Sequence, residues 1–178
     1  SRPIAFIHPE HYRDWLTLQP AATRSWLESQ NFAGKSGQFA LIPDDTGRWQ
    51  RVLALTGSDE PFAVAHLPKL LPKGDYHRCP DSSATLHADH LLLGWGLGAY
   101  RFERYLAGTE SPRLHSEGHG EPALAMLDAS LRVRDWINLP TEDMGPEQLQ
   151  SAVFDAALAF NAKAEAIIGD DLLQQNFP

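Results

Sequence analysis

The feature that most restricts the fold of this 178-residue chain is the punctuation at Pro140 and at Gly145-Pro146. From Glu121, with Pro122 at the first helical position, apolar residues recur as far as Ile137, and the segment reads as one long helix. Proline removes a helical N–H and pushes the residue before it into extended backbone, so Leu139-Pro140 ends that helix. Gly145-Pro146 starts another, and the apolar pair Ile167-Ile168 with the Gly169-Asp170 turn adds further elements. The reading is a domain over residues 1–120, a linking helix over 121–140, and a truncated second α/β segment over 141–178.

The first domain reads as α/β. Ile4 to Ile7 is a short apolar run between prolines, the pattern of a buried strand. Pro20 opens a helix through Ala22, Trp26 and Leu27, with Gly34 as its expected stop. Gln38–Pro43 and Trp49–Thr56 form strands around the hairpin signal Asp44-Asp45-Thr46-Gly47. Residues 60–71 suggest a helix interrupted at Pro68, then a turn at Pro72-Lys73-Gly74 and a strand over 75–78. Ser82 or Ser83 is the expected cap of a long helix to about Leu106, with Leu91, Trp95, Ala99, Phe102 and Leu106 on one stripe and Leu93, Leu97 and Tyr100 on its flank. Residues 113–116 offer one more strand.

Charge narrows the partners. Of a net charge of −8, residues 1–134 contribute −1 and residues 135–178 contribute −7. A neutral body with an acidic end gives a polyanion nothing to bind, so nucleic acid is not an expected partner. The longest apolar stretches, such as Leu91 to Leu93, fall far short of the ~20 residues of a membrane span. With the single cysteine Cys79, no intrachain disulfide forms, and with no secretory leader visible the expected location is the cytoplasm.

Three residue patterns could carry chemistry, and each has a structural reading. Gly94-Trp95-Gly96-Leu97-Gly98 lies inside a helical pattern, where glycines permit close packing, and not between a strand and a helix start, where backbone N–H groups cradle phosphate. His8 with His11, His87 with His90, and His115 with His119 have ligand-like spacing, but a zinc site needs three or four donors. The neighbouring carboxylates Asp44-Asp45, Glu142-Asp143 and Asp170-Asp171 do not converge by adjacency alone. Glu142 or Asp143 is expected to cap or precede the helix at Pro146, and Asp170 to cap a short helix from Asp171 to Gln175. Cys79 reads as a structural thiol. No catalytic, cofactor-binding or metal-ligating residue is therefore assigned.

Arg134-Asp135-Trp136-Ile137-Asn138-Leu139-Pro140, followed by Asp143-Met144-Gly145-Pro146 and Leu149, resembles the junction segment of the leucyl aminopeptidase (cytosol aminopeptidase) family. Ile168-Gly169-Asp170 and Asn176-Phe177-Pro178 continue the likeness, and upstream so do Phe32-Ala33-Gly34-Lys35, Leu71-Pro72-Lys73-Gly74 and Leu93 to Phe102. The resemblance implies a macro-like amino-terminal domain, with a mixed sheet flanked by helices, ahead of a metallopeptidase catalytic domain. It also implies peptide substrates, two divalent ions (zinc, manganese or magnesium) and a homohexamer. The family's metal and catalytic residues lie in V-G-K-G and N-T-D-A-E-G-R segments, neither of which occurs in these 178 residues. The expectation is a non-catalytic amino-terminal portion, inactive alone, that supports assembly and access to the active site. The alternative is a stand-alone macro-like module for a nucleotide such as ADP-ribose. Ile167, Ile168, Leu172 and Leu173 are expected to be covered by the first domain or by another copy.

Overall fold

The structure is a computed structural model that describes residues 1–105, 108 and 110–177. Two compact units divide at Leu131/Arg132.

The first unit is built on a five-stranded sheet in the order β2-β3-β1-β4-β5, from β1 (Arg2–Ile7), β2 (Phe39–Pro43), β3 (Trp49–Leu55), β4 (Asp75–Arg78) and β5 (Arg113–His115). β1, β3, β4 and β5 run parallel, and β2 pairs antiparallel with β3. The central strand explains why its sequence is an unbroken apolar run. Ile4 and Phe6 join Val52, Ala54, Tyr76, Leu91 and Trp95 on one face, while Ala5 and Ile7 join Leu53, Leu55, Tyr12, Trp15 and Leu27 on the other. A parallel sheet covered on both faces leaves no position for a polar side chain on its middle strand. Each large side chain so buried contributes about 1.5–3 kcal/mol. The mixed sheet flanked by helices is the architecture expected.

One face carries α1 (Tyr12–Thr17) and α2 (Ala21–Ser29); the other carries α3 (Leu67–Leu70) and α4 (Ala88–Ala99). The sequence reading did not find α1, which is only six residues long and too short to show a helical period. α2 stops before Gly34. Asn31 takes φ 51° as the left-handed residue after the helix, Asn31 N–H donates to the Glu28 carbonyl and Phe32 N–H to that of Leu27. This is a Schellman end with Asn in place of Gly.

Pro68 does not interrupt a helix. It sits in the first turn of α3, where a missing N–H costs nothing, and a separate 3-10 turn spans Pro61–Val64. α4 is shorter than expected at both ends. His87 caps it, because Ser82 and Ser83 accept the Phe6 and His8 N–H groups and so tie the loop to β1. At the far end Tyr100 turns extended (ψ 134°), which takes Phe102 off the helix; Leu106 lies outside the described residues. Gly94 and Gly98 do serve packing: a Cβ there would stand 1.8 Å from the Pro61 carbonyl oxygen and 2.0 Å from that of Ala65.

α5 (Glu121–Asn138) starts and ends where Pro122 and Pro140 dictate. Within the second unit, α6 (Pro146–Ala159) has Gly145 at its cap position, not Glu142 or Asp143, and α7 (Asp170–Gln174) has Gly169, with Asp170 in the first turn. Neither helix buries a side chain. Asn161 (φ 53°) and Asn176 (φ 61°) end these helices by the same bond pattern as Asn31.

Candidate functional site

Among the concave surfaces of this fold are a polar one on the first unit and an apolar one on the second. The polar one is a cleft of about 320 Å³ beyond the carboxyl ends of β1 and β3, lined by His8, His11, Thr56, Gly57, Asp59 and Thr85 among others. The sheet order makes this a switch point, since the chain leaves β1 towards β3 on one side and returns to β4 on the other, and such crevices favour ligands.

Its polar groups are largely committed to holding the fold. His8 Nδ1 accepts from Glu10 N–H at 3.3 Å, and its ring centroid lies 5.6 Å from that of His11. Thr56 Oγ1 donates to the Ser58 carbonyl at 2.9 Å, and Gly57 N–H donates to Ser36 Oγ at 3.2 Å. Asp59 is an anchor for α4: its carboxylate accepts His87 N–H at 2.6 Å, and both its carbonyl and its carboxylate meet His90 Nδ1. Asp89 in turn accepts Gly120 N–H at 2.7 Å.

The histidine pairs therefore do not form one site. His115 Nε2 bonds Asp75 on neighbouring β4 at 3.0 Å, and that hydrogen bond, with the Arg113 charge, holds the Asp75 carboxyl below the usual range. Among the described residues no three His, Cys, Asp or Glu side chains converge to hold a metal. A dinuclear centre does not fit this donor set. The Asp44 carboxylate is occupied by its turn, where the Thr46 hydroxyl and two backbone N–H groups lower its pKa. Burial pushes the Cys79 thiol up and away from reactive thiolate.

The apolar surface is a groove on the second unit, lined by Leu149, Val153, Phe154, Ile167, Ile168 and Leu172. Ile167 is half-buried, and Ile168, Leu172 and Leu173 are exposed. The sequence reading missed the α6 wall of this groove. Its signal was present in the four-residue spacing of Leu149, Val153 and the adjoining Phe154 and Leu158. Exposed apolar surfaces of this kind are ordinarily covered.

The family described as M17 aminopeptidase, N-terminal domain, matches residues 2–114, more than half of the chain. Among solved structures, the cytosol aminopeptidase from Coxiella burnetii superimposes with a TM-score of 0.83 at 32% identity, covering 97% of this chain and 39% of that one. The bottromycin maturation enzyme BotP matches with a TM-score of 0.68 at 16% identity, covering 97% and 40%, and its complex with Mn matches at 0.66 and 18%, covering 97% and 39%. At such identities these two show the shared fold alone. The chain thus spans about two fifths of the length of these structures. No curated protein sequence matches it. Among the described residues, no helix is long and apolar enough to cross a membrane.

Proposed function

The chain belongs to the M17 aminopeptidase family as its N-terminal domain, and from that premise we propose that it is the non-catalytic portion of a dinuclear-metal leucyl aminopeptidase. The longer enzyme removes amino-terminal residues from peptides in the cytoplasm. Its two divalent ions, zinc, manganese or magnesium, are held by a catalytic part, and its subunits assemble as a homohexamer. The metals are what the family resemblance implies for that catalytic part. Residues 1–120 are the amino-terminal domain, 121–140 the link, and 141–178 the start of the catalytic domain.

The observation that carries this reading is the groove on α6 and α7. An apolar surface bearing Val153, Phe154 and Ile168 is ordinarily covered. The catalytic part of the same enzyme is the occupant we assign, because the matched structures are some two and a half times longer than this chain. The role of the chain is then to seat and orient that part.

The test is a chimera in which this chain replaces the matching part of the Coxiella burnetii cytosol aminopeptidase. It should assemble and hydrolyse leucine p-nitroanilide with manganese, and Phe154→Glu in the groove should abolish assembly. Hydrolysis by the 178-residue chain alone would overturn the reading, as would a Phe154→Glu chimera that assembles normally.

A further inference from the structure

The two edges of the sheet are treated differently by the sequence. β5 is three residues long and carries Arg113 and His115, the short and charged form that discourages pairing. β2 is Phe-Ala-Leu-Ile-Pro, with no charged residue. Its register identifies which backbone groups are open. Gly37, at φ 82°, makes a bulge in which Gly37 N–H donates to the Leu55 carbonyl and Leu55 N–H to the Gln38 carbonyl. Pairing then alternates, so Ala40 and Ile42 bond across to Leu53 and Arg51, while Phe39 and Leu41 turn their N–H and C=O groups to the open edge. The Trp26 indole confirms the direction, since its Nε1–H donates to the outward Leu41 carbonyl at 3.0 Å.

That contact leaves a defined gap: Phe39 N–H, Phe39 C=O and Leu41 N–H. Beside it runs a groove of about 570 Å³ walled by Trp26, Gln30, Asn31, Phe32 and Leu70. We propose that this edge is a docking site for a short, uncharged, extended peptide segment, which adds to β2 by main-chain hydrogen bonds and places side chains in the groove. Two features select that occupant. None of the described residues lining the groove is charged, in a chain of net charge −8, and the wall instead offers amide groups, which match a neutral peptide backbone. The open ladder serves only about one residue of an added strand and its two neighbours, because Trp26 blocks the Leu41 carbonyl and Pro43 has no N–H. A whole strand from a second copy would find most of its groups unpaired; a tripeptide would not.

The site is distinct from the groove on the second unit and is tested independently of the assembly reading. The experiment titrates the isotope-labelled 178-residue chain with acetyl-Val-Thr-Val-amide and follows backbone amide shifts by NMR. Saturable shifts are expected at Phe39 and Leu41. Methylating the central peptide nitrogen, which removes the hydrogen donated to Phe39, should weaken binding about fivefold, as should Leu41→Pro. If Leu41→Pro fails to fold, the methylated peptide on the unaltered chain still decides. Absence of shifts at Phe39 and Leu41 at millimolar peptide overturns the proposal. So does equal binding of the methylated peptide, or shifts at β2 that follow protein concentration alone and so report a second copy.

Discussion

Gly94 lies directly under the carbonyl of Pro61, so that a Cβ at this position would stand 1.8 Å from the oxygen. The 3-10 turn over Pro61–Val64 and the Ala65 that follows it can rest on α4 only because this position and Gly98 have no side chain. Alanine at 94 would gain about 1 kcal/mol of helix propensity. It would also force backbone apart, and overpacking of this kind costs about 1–3 kcal/mol or more. The net expectation for Gly94→Ala and Gly98→Ala is a loss of about 2 kcal/mol each in urea unfolding. Gly96→Ala is the control. There the added atom meets the end of the Leu127 side chain, which can turn away, and the loss should be smaller.

Asn31, Asn161 and Asn176 each hold a positive φ at a helix end. Asn tolerates this region better than other residues with a Cβ, and Gly better still. Asn31→Ala should therefore cost about 1 kcal/mol, and Asn31→Gly should be neutral or slightly stabilising. Thermal unfolding of the two variants checks the ordering; an alanine variant as stable as the glycine one would refute it.

These helix ends also show where reading the sequence succeeded and where it could not. Ile4 to Ile7 declared itself because a strand buried on both faces has no alternation to disguise. Pro122 and Pro146 marked helix starts because proline acts locally, whatever the rest of the chain does. Ser83 misled because its hydroxyl serves a backbone group of residue 8, a demand created only once β1 and the loop after β4 meet. The β2 edge was invisible for the same reason: that Phe39–Pro43 is an outer strand follows from sheet order, which its five residues do not encode. That no three donors converge among the described residues is also a matter of tertiary structure. His87 and His90 have ligand spacing, yet Asp59 accepts from the His87 backbone and meets the His90 ring as part of the α4 cap.

Asp81 connects two elements through its carboxylate, which accepts from the Arg51 guanidinium and from the Trp15 indole. Partial burial pushes its pKa up, but those hydrogen bonds and the Arg51 charge outweigh it and hold the carboxyl below the usual aspartate range. A folded pKa below the unfolded one gives stability that is complete above the unfolded value and lost as pH falls through the folded one. Asp81→Asn should therefore destabilise the chain at pH 7 and cost progressively less below pH 4, as seen by urea unfolding at a series of pH values. A penalty that does not change with pH would show that the ion pair is not its source.

The second unit should open far more readily than the first. α6 and α7 bury no side chain, and Leu158 and Leu173 are 82% and 74% exposed. Helices of 14 and 5 residues are near or below the length, roughly 12–15 residues, at which propensity alone sustains them in water. β1 differs at every point, with Ile4, Ala5, Phe6 and Ile7 all at 0% exposure between two strands. Amide exchange in residues 146–174 should therefore be at least about a hundredfold faster than at β1, with limited proteolysis cutting first after residue 140. Covering the groove with the catalytic part in the chimera should slow exchange in α6 and leave β1 unchanged. Exchange in α6 as slow as in β1 for the chain alone would show that its apolar stripe is already satisfied.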